Sequence, residues 1–209
     1  MIVKVCGMRD AENIRAVEEL DVDWMGFILY KYSSRFVSSP PAYMPCKAKR
    51  VGVTVGMPIS QVVHAQKSFG FDFIQLHGCE SPNYCECLQR LLPRGVHIVK
   101  KINVASVCDL SDLDAYEQFV DYFLFEPPTP AHGGSGTKFD WTLLSQYHFS
   151  TPFILAGGIG PADLDALHQF SHPQWAGIDL NSQFEIRPAL KDVDALRQFV
   201  HRFKAINNK

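Results

Sequence analysis

Eight short runs rich in valine, isoleucine, phenylalanine and leucine recur along the chain, separated by segments with helical spacing. That alternation restricts the chain to parallel strands joined by crossover helices. The runs are residues 2–6, 24–30, 51–55, 73–77, 96–102, 122–126, 153–156 and 176–180. Helical spacing covers 10–20, 59–69, 82–92, 110–119, 141–147, 161–170 and 191–206. Asp10 and Ser111 suit helix starts, because a short side-chain oxygen can accept from the free N–H groups of a first turn. The crossover at 38–49 carries Pro40, Pro41 and Pro45 and is the weakest helix candidate.

Eight strand-plus-crossover units in 209 residues leave roughly 26 residues for each, near the short end of what a closed (β/α)8 barrel takes. The expectation is an α/β protein with one TIM-barrel domain over residues 1–209. An open doubly wound sheet is the alternative, but the first strand leads into Cys6-Gly7-Met8-Arg9, with no Gly-x-Gly-x-x-Gly to receive a dinucleotide. No low-complexity tract, linker or fixed-period repeat interrupts the pattern.

Charge narrows the partners. Lys plus Arg number 20 against 22 Asp plus Glu, with no long run of one sign, so neither nucleic acid nor a polybasic membrane contact is expected. The opening Met1-Ile2-Val3-Lys4-Val5-Cys6-Gly7 is too soon interrupted for a signal peptide, and no stretch approaches the roughly 18 apolar residues of a membrane span. A cytoplasmic protein is expected, with its six cysteines as free thiols. His77, Cys79, Cys85 and Cys87 together suggest a metal site. On the helix expected from Pro82, however, Cys85 and Cys87 point about 200° apart and cannot share one tetrahedral centre, so no metal is expected.

Strand side chains alternate between the barrel interior and the helix layer, and polar groups near C-terminal strand ends mark the site of such a barrel. In the first strand Val3 and Val5 face the helices while Lys4 and Cys6 face inward. In the fourth, Ile74 and Leu76 face out and Gln75 and His77 in. Glu126 follows Leu124 on the inner side of the sixth, and Asp179 lies between Ile178 and Leu180 in the eighth. Taken singly, Cys6 is a small buried hydrophobe and His77 a hydrogen-bonded core residue. Glu126 closes an apolar strand before Pro127-Pro128, where an ionised carboxylate is costly unless paired or functional. Lys4 needs a counter-charge, and Asp179 supplies one if strands eight and one adjoin.

The loops after the last three strands are small and polar: Gly133-Gly134-Ser135-Gly136-Thr137-Lys138, Gly157-Gly158 and Asn181-Ser182. Freed backbone N–H groups in such loops cradle phosphate, and the loops after strands seven and eight are the frequent phosphate site of this fold. Gly136-Thr137-Lys138 runs on into Phe139, which departs from a nucleotide-binding P-loop, so the first of these loops is read as a lid over a substrate.

Together the segments resemble phosphoribosylanthranilate isomerases. The resemblance spans nearly the whole chain. Its marks are Lys4-Val5-Cys6-Gly7-Met8, Ser34-Arg35-Phe36-Val37, Gln75-Leu76-His77-Gly78, Gly133-Gly134-Ser135-Gly136 with Phe139-Asp140-Trp141, Leu155-Ala156-Gly157-Gly158 and Lys191-Asp192, in the family's order. It implies an Amadori rearrangement without cofactor on a small sugar phosphate carrying anthranilate, in tryptophan biosynthesis, by a monomer or homodimer. An acid opens the ribose ring and a base takes the neighbouring carbon's proton.

The resemblance makes Cys6 the base and puts Glu126 where the family has an aspartate as acid. Arg35 falls where the family holds the anthranilate carboxylate, although Ser34 replaces a proline. Gly157, Gly158, Asn181 and Ser182 fall at phosphate contacts, with Gln183 where a glycine is usual, and His77, Gly134 and Asp179 are further candidate contacts. Lys4 is expected to raise the thiolate fraction of Cys6. Two other readings stand beside this one: a sugar-phosphate-binding barrel without catalysis, and an epimerase of the ribulose-phosphate type, which has no use for Arg35.

Overall fold

The apolar runs assemble as eight strands that close on themselves: β1 (Ile2–Cys6), β2 (Trp24–Ile28), β3 (Lys49–Thr54), β4 (Phe73–Leu76), β5 (His97–Asn103), β6 (Tyr122–Glu126), β7 (Phe153–Leu155) and β8 (Trp175–Leu180). The structure is a computed structural model describing residues 1–128 and 139–207. All neighbouring strands are parallel, and β8 meets β1 in a register that sets Asp179 beside Lys4.

The strand alternation divides the core in two. Val3, Val5, Met25, Phe27, Ile74, Leu76, Phe123, Phe125, Leu155 and Leu180 pack outward under the helices. Trp24, Val51, Val53, Phe73, Val99, Leu124 and Ile154 fill the interior with Cys6. The Trp24 ring lies 4.1 Å from Phe73 and 5.1 Å from Tyr122, centroid to centroid, plugging the end of the barrel away from the strand C-termini.

Helices α1 (Ala11–Glu18), α2 (Ile59–Phe69), α3 (Pro82–Leu91), α4 (Asp114–Glu117), α5 (Leu164–Gln169) and α6 (Val193–Asn207) coat the barrel. The Asp10 side chain caps α1 by accepting from Asn13 N at 2.9 Å, as the sequence implies. No helix among the described residues is long and apolar enough to cross a membrane.

Four crossovers depart from expectation, the simplest being Trp141–Gln146, which winds as a 3-10 helix. Residues 38–49 form no helix, because the prolines withdraw donors; the buried Glu18 carboxylate instead accepts from Lys47 N at 2.6 Å, Ala48 N at 3.2 Å and the Tyr43 hydroxyl. The helix expected over 110–119 breaks into a 3-10 turn (Val107–Leu110) and the single turn α4. Asp109 starts that first turn by accepting from Ala105 N and Ser106 N at 2.9 and 2.8 Å, so Ser111 ends it rather than starting a helix. Finally, the loop after β8 holds a hairpin of β9 (Glu185–Arg187) and β10 (Leu190–Lys191) that the periodicity did not reveal. The Asn13 side chain grips Lys191 through Nδ2 to its carbonyl at 2.9 Å and Oδ1 from its N–H at 2.8 Å, which delays the last helix to Val193.

Candidate active site

Cys6 ends β1 on the inner face and is 4% exposed. It occupies room that Gly26 leaves on β2, where an added Cβ would come within 2.6 Å of the sulfur. Below it, Lys4 Nζ donates to Asp179 Oδ2 at 2.7 Å, the pair the sequence implies. Burial opposes the Lys4 charge, but Asp179 and Cys6 more than reverse that and hold its proton above the ordinary lysine range. For the Asp179 carboxyl burial prevails over Lys4 and raises it, and Oδ1 has no hydrogen-bond partner among the described residues. Asp179→Asn removes the counter-charge of a fully buried ammonium. Stability is expected to fall by about 3 kcal/mol, a drop in melting temperature on the order of 10 °C for a chain of this size; thermal unfolding at neutral pH checks it, and an unchanged midpoint counts against the pair.

Burial raises the Cys6 thiol, and the pull of Lys4 and of Lys191 in the opposite direction does not offset it. Lys4 thus pulls toward the thiolate as expected, without making the thiolate the favoured form, because desolvation in the apolar interior outweighs it.

Glu126 ends β6 with its carboxyl turned into the same mouth, 6% exposed. His77 Nε2 lies 3.2 Å and Lys101 Nζ 3.6 Å from its Oε1, ion-pair distances at which neither makes a hydrogen bond, and Oε1 has no hydrogen-bond partner among the described residues. Burial raises this carboxyl; a protonated His77 and Lys101 lower it, and with both charged it falls below the ordinary glutamate range. Gln75, fully buried on β4, places Nε2 2.9 Å from His77 Nδ1.

Lys101 was missed in the sequence, although alternation along β5 carries the signal. Of two adjacent lysines in one buried strand, one must face inward. Lys100 turns outward to Glu80 Oε2 at 3.0 Å and the Gly78 carbonyl at 2.7 Å, and Lys101 turns inward, donating to Asn103 Oδ1 at 2.8 Å.

Arg35 reaches the mouth from the loop after β2, its stem passing over Gly7, where an added Cβ would lie 2.7 Å from Arg35 Cδ. Glu185 of the hairpin grips the guanidinium, accepting from Nε at 2.9 and 3.0 Å and from Nη2 at 2.6 Å. Lys191 Nζ, also buried, donates to Glu185 Oε1 and Asn181 Oδ1, both at 2.7 Å. These two cations and the burial opposing them leave Glu185 below the ordinary glutamate range. Glu185 and Lys191 were not singled out as site residues, because the segment after β8 reads as a plain loop and their meeting depends on the hairpin.

Gly157 and Gly158 follow β7 with φ of +86° and +68°, the left-handed region that glycine enters freely. A Cβ at Gly157 would in addition meet Pro127 Cδ at 2.1 Å. Asn181 follows β8, and Ser182 opens a 3-10 turn (Ser182–Phe184). Gln183 lies within that turn and not in the left-handed region, so its side chain costs the backbone no strain. Gly134 and the expected lid at 133–138 lie outside the described residues. The structure thus brings Cys6, Glu126, His77, Asp179, Asn181 and Arg35 to the end of the barrel where Gly157, Gly158 and Ser182 also lie.

Known proteins resemble this chain in sequence and in fold. The family model described as "N-(5'phosphoribosyl)anthranilate (PRA) isomerase" matches residues 3–202. The chain is 46% identical to the N-(5'-phosphoribosyl)anthranilate isomerase of Phocaeicola vulgatus over 98% of both chains. It is 44% identical to that of Parabacteroides distasonis over 97% of this chain and 93% of the relative. Its fold superposes on the crystal structure of phosphoribosyl anthranilate isomerase from Thermus thermophilus with a TM-score of 0.83 at 25% identity, covering 99% of this chain and 100% of the other. The chain belongs to the N-(5'-phosphoribosyl)anthranilate isomerase family.

Proposed function

We propose that the chain converts N-(5-phosphoribosyl)anthranilate to its 1-deoxyribulose 5-phosphate form in tryptophan biosynthesis, with Glu126 as general acid and Cys6 as general base. One observation carries the assignment of roles: a thiol and a carboxyl end β1 and β6 inside one mouth, flanking the two strands whose following loops suit a phosphate. A phosphate held by backbone N–H groups near Gly157, Gly158 and Ser182, with Asn181 beside them, anchors the ribose between the two groups.

The Glu126 proton passes to the ring oxygen as the bond from that oxygen to C1′ breaks, and the anthranilate nitrogen lone pair forms the C1′=N bond. The Cys6 thiolate then takes the proton from C2′, whose bonding pair forms C1′=C2′ while the C1′=N pair returns to nitrogen. The resulting enol becomes the ketone when O2′ loses a proton and C1′ gains one. Every proton is conserved, and no redox partner is needed.

Arg35 presents Nη1, which has no partner among the described residues, and the remaining hydrogen of Nη2 to the anthranilate carboxylate, while Glu185 fixes the guanidinium from behind. Arg35→Ala is expected to raise KM about tenfold to a hundredfold, the value of a charge-assisted hydrogen bond at roughly 1.5–3 kcal/mol, with a smaller change in kcat. An unchanged KM removes Arg35 from this role.

Anthranilate fluoresces, so the test is the decay of phosphoribosylanthranilate fluorescence with purified protein. Tight binding without decay would make the chain a binding protein instead. The same reading has the enzyme act in the cytoplasm as a monomer or homodimer, which analytical ultracentrifugation distinguishes.

A further inference from the structure

Glu126 must hold a proton to deliver one, yet it sits beside two nitrogen groups, His77 Nε2 at 3.2 Å and Lys101 Nζ at 3.6 Å. Where His77 carries its proton depends on Gln75, a fully buried amide 2.9 Å from Nδ1 that the reaction as described does not use. An amide NH2 only donates, so Nδ1 must accept, and the ring's single proton lies on Nε2, facing Glu126. The opposite amide orientation would set Gln75 Oε1 against Nδ1 and put a proton there, giving either the other neutral tautomer, with no Nε2–H on the side of Glu126, or an imidazolium.

The Gln75 Nε2 contact to Nδ1 excludes the Nδ1-protonated tautomer, and the surrounding charges exclude the imidazolium. Lys101 on β5 faces Glu126, Asp179 on β8 interacts with both His77 and Glu126, and Lys4 on β1 pairs with Asp179. Toward Cys6 lie Lys191 and then Arg35, both paired with Glu185. Four cations already face two carboxylates and the protonated Glu126, so a fifth cation at His77 would be buried without a counter-charge.

We propose that Gln75 is a positioning residue of the reaction: by donating to Nδ1 it holds His77 as a neutral imidazole with its proton on Nε2, 3.2 Å from Glu126, without lending Glu126 positive charge, so that Glu126 keeps the proton it delivers. This rests on the reading of Glu126 as the acid. With His77 neutral, Lys101 alone opposes the burial that raises the Glu126 carboxyl.

The first test is 15N NMR of the wild-type protein labelled at histidine nitrogen, with the His77 signals identified by their loss in His77→Asn. At pH 7 the expected pattern is a neutral ring protonated at Nε2; an imidazolium or an Nδ1-protonated ring overturns the proposal. The second test is Gln75→Glu, whose carboxylate accepts from Nδ1 and so favours the imidazolium. An imidazolium lowers the neighbouring carboxyl. In a pair whose acid titrates below its base, the acid-side limb of the kcat/KM profile belongs to the acid. That limb is expected to move to lower pH and the plateau to fall at least about tenfold, with KM changed much less; an unmoved limb in the folded variant overturns the proposal. If that variant does not fold, the wild-type spectrum still decides. A fully active Glu126→Gln would instead refute the acid reading, and the NMR result would stand apart from it.

Discussion

Replacing Cys6 by alanine is expected to lower turnover by a factor on the order of a hundred or more, the contribution of a positioned general base, with little change in fold. The side chain is small and lies in a space already shaped by Gly26, so its loss leaves a modest cavity and a destabilisation of about 1 kcal/mol. Near-normal turnover would remove Cys6 from the mechanism. The pH dependence gives an independent check. Because burial raises the thiol, the thiolate is a minor species at neutral pH and grows as pH rises. In the wild type the titration of Glu126 masks this growth. In Glu126→Gln that group no longer titrates, so the residual turnover is expected to climb about tenfold per pH unit through neutrality, with each proton lost from the thiol yielding one base. A residual rate independent of pH would show that the remaining reaction does not pass through the thiolate.

The parts of this protein that were legible in its sequence are those controlled by local periodicity. Val3, Val5, Ile74 and Leu76 alternate with Lys4, Cys6, Gln75 and His77, and in the folded chain the two sets occupy opposite faces of the barrel wall. Closure then follows from strand count, and the Lys4–Asp179 contact follows from closure, because a fully buried ammonium on β1 needs a carboxylate on an adjoining strand. What escaped depends on contacts between distant segments. Glu185 gains its significance from Arg35, 150 positions earlier, and Lys191 is fixed in place by Asn13. Neither contact leaves a periodic trace. The crossover at 38–49 shows the same limit: its prolines argue against a helix, but only the folded chain shows that Glu18 satisfies its N–H groups instead. Lys101 differs, since the alternation that exposed Gln75 and His77 also points it inward, and a reading that asked where each lysine of β5 faces would have found it.

Lys101 also bears on the substitution with the other large expected effect. Glu126→Gln keeps the size of the side chain and removes the proton donor, so turnover is expected to fall at least about a hundredfold while the thermal midpoint stays within a few degrees. Fluorescence decay of the substrate measures the loss, and full activity would make His77 the next candidate for the acid. Glu126→Asp keeps the acid and withdraws it by one methylene. The sequence alone leaves its outcome open, since a glutamate where the family has aspartate reads equally as a poorer fit or as an adapted one. The geometry favours adaptation. Oε1 lies 3.2 Å from His77 Nε2 and 3.6 Å from Lys101 Nζ, and Asn103 in turn holds Lys101 at 2.8 Å, so the surrounding groups meet the longer side chain where it ends. A misplacement of about 1 Å costs on the order of a hundredfold in rate, and shortening the side chain retracts the carboxyl by a comparable distance. Glu126→Asp is therefore expected to lose between about tenfold and a hundredfold in kcat with KM nearly unchanged, because the phosphate and carboxylate contacts lie elsewhere. A variant faster than the wild type would show instead that His77 and Lys101 only tolerate the glutamate, and that the site works better with the shorter acid.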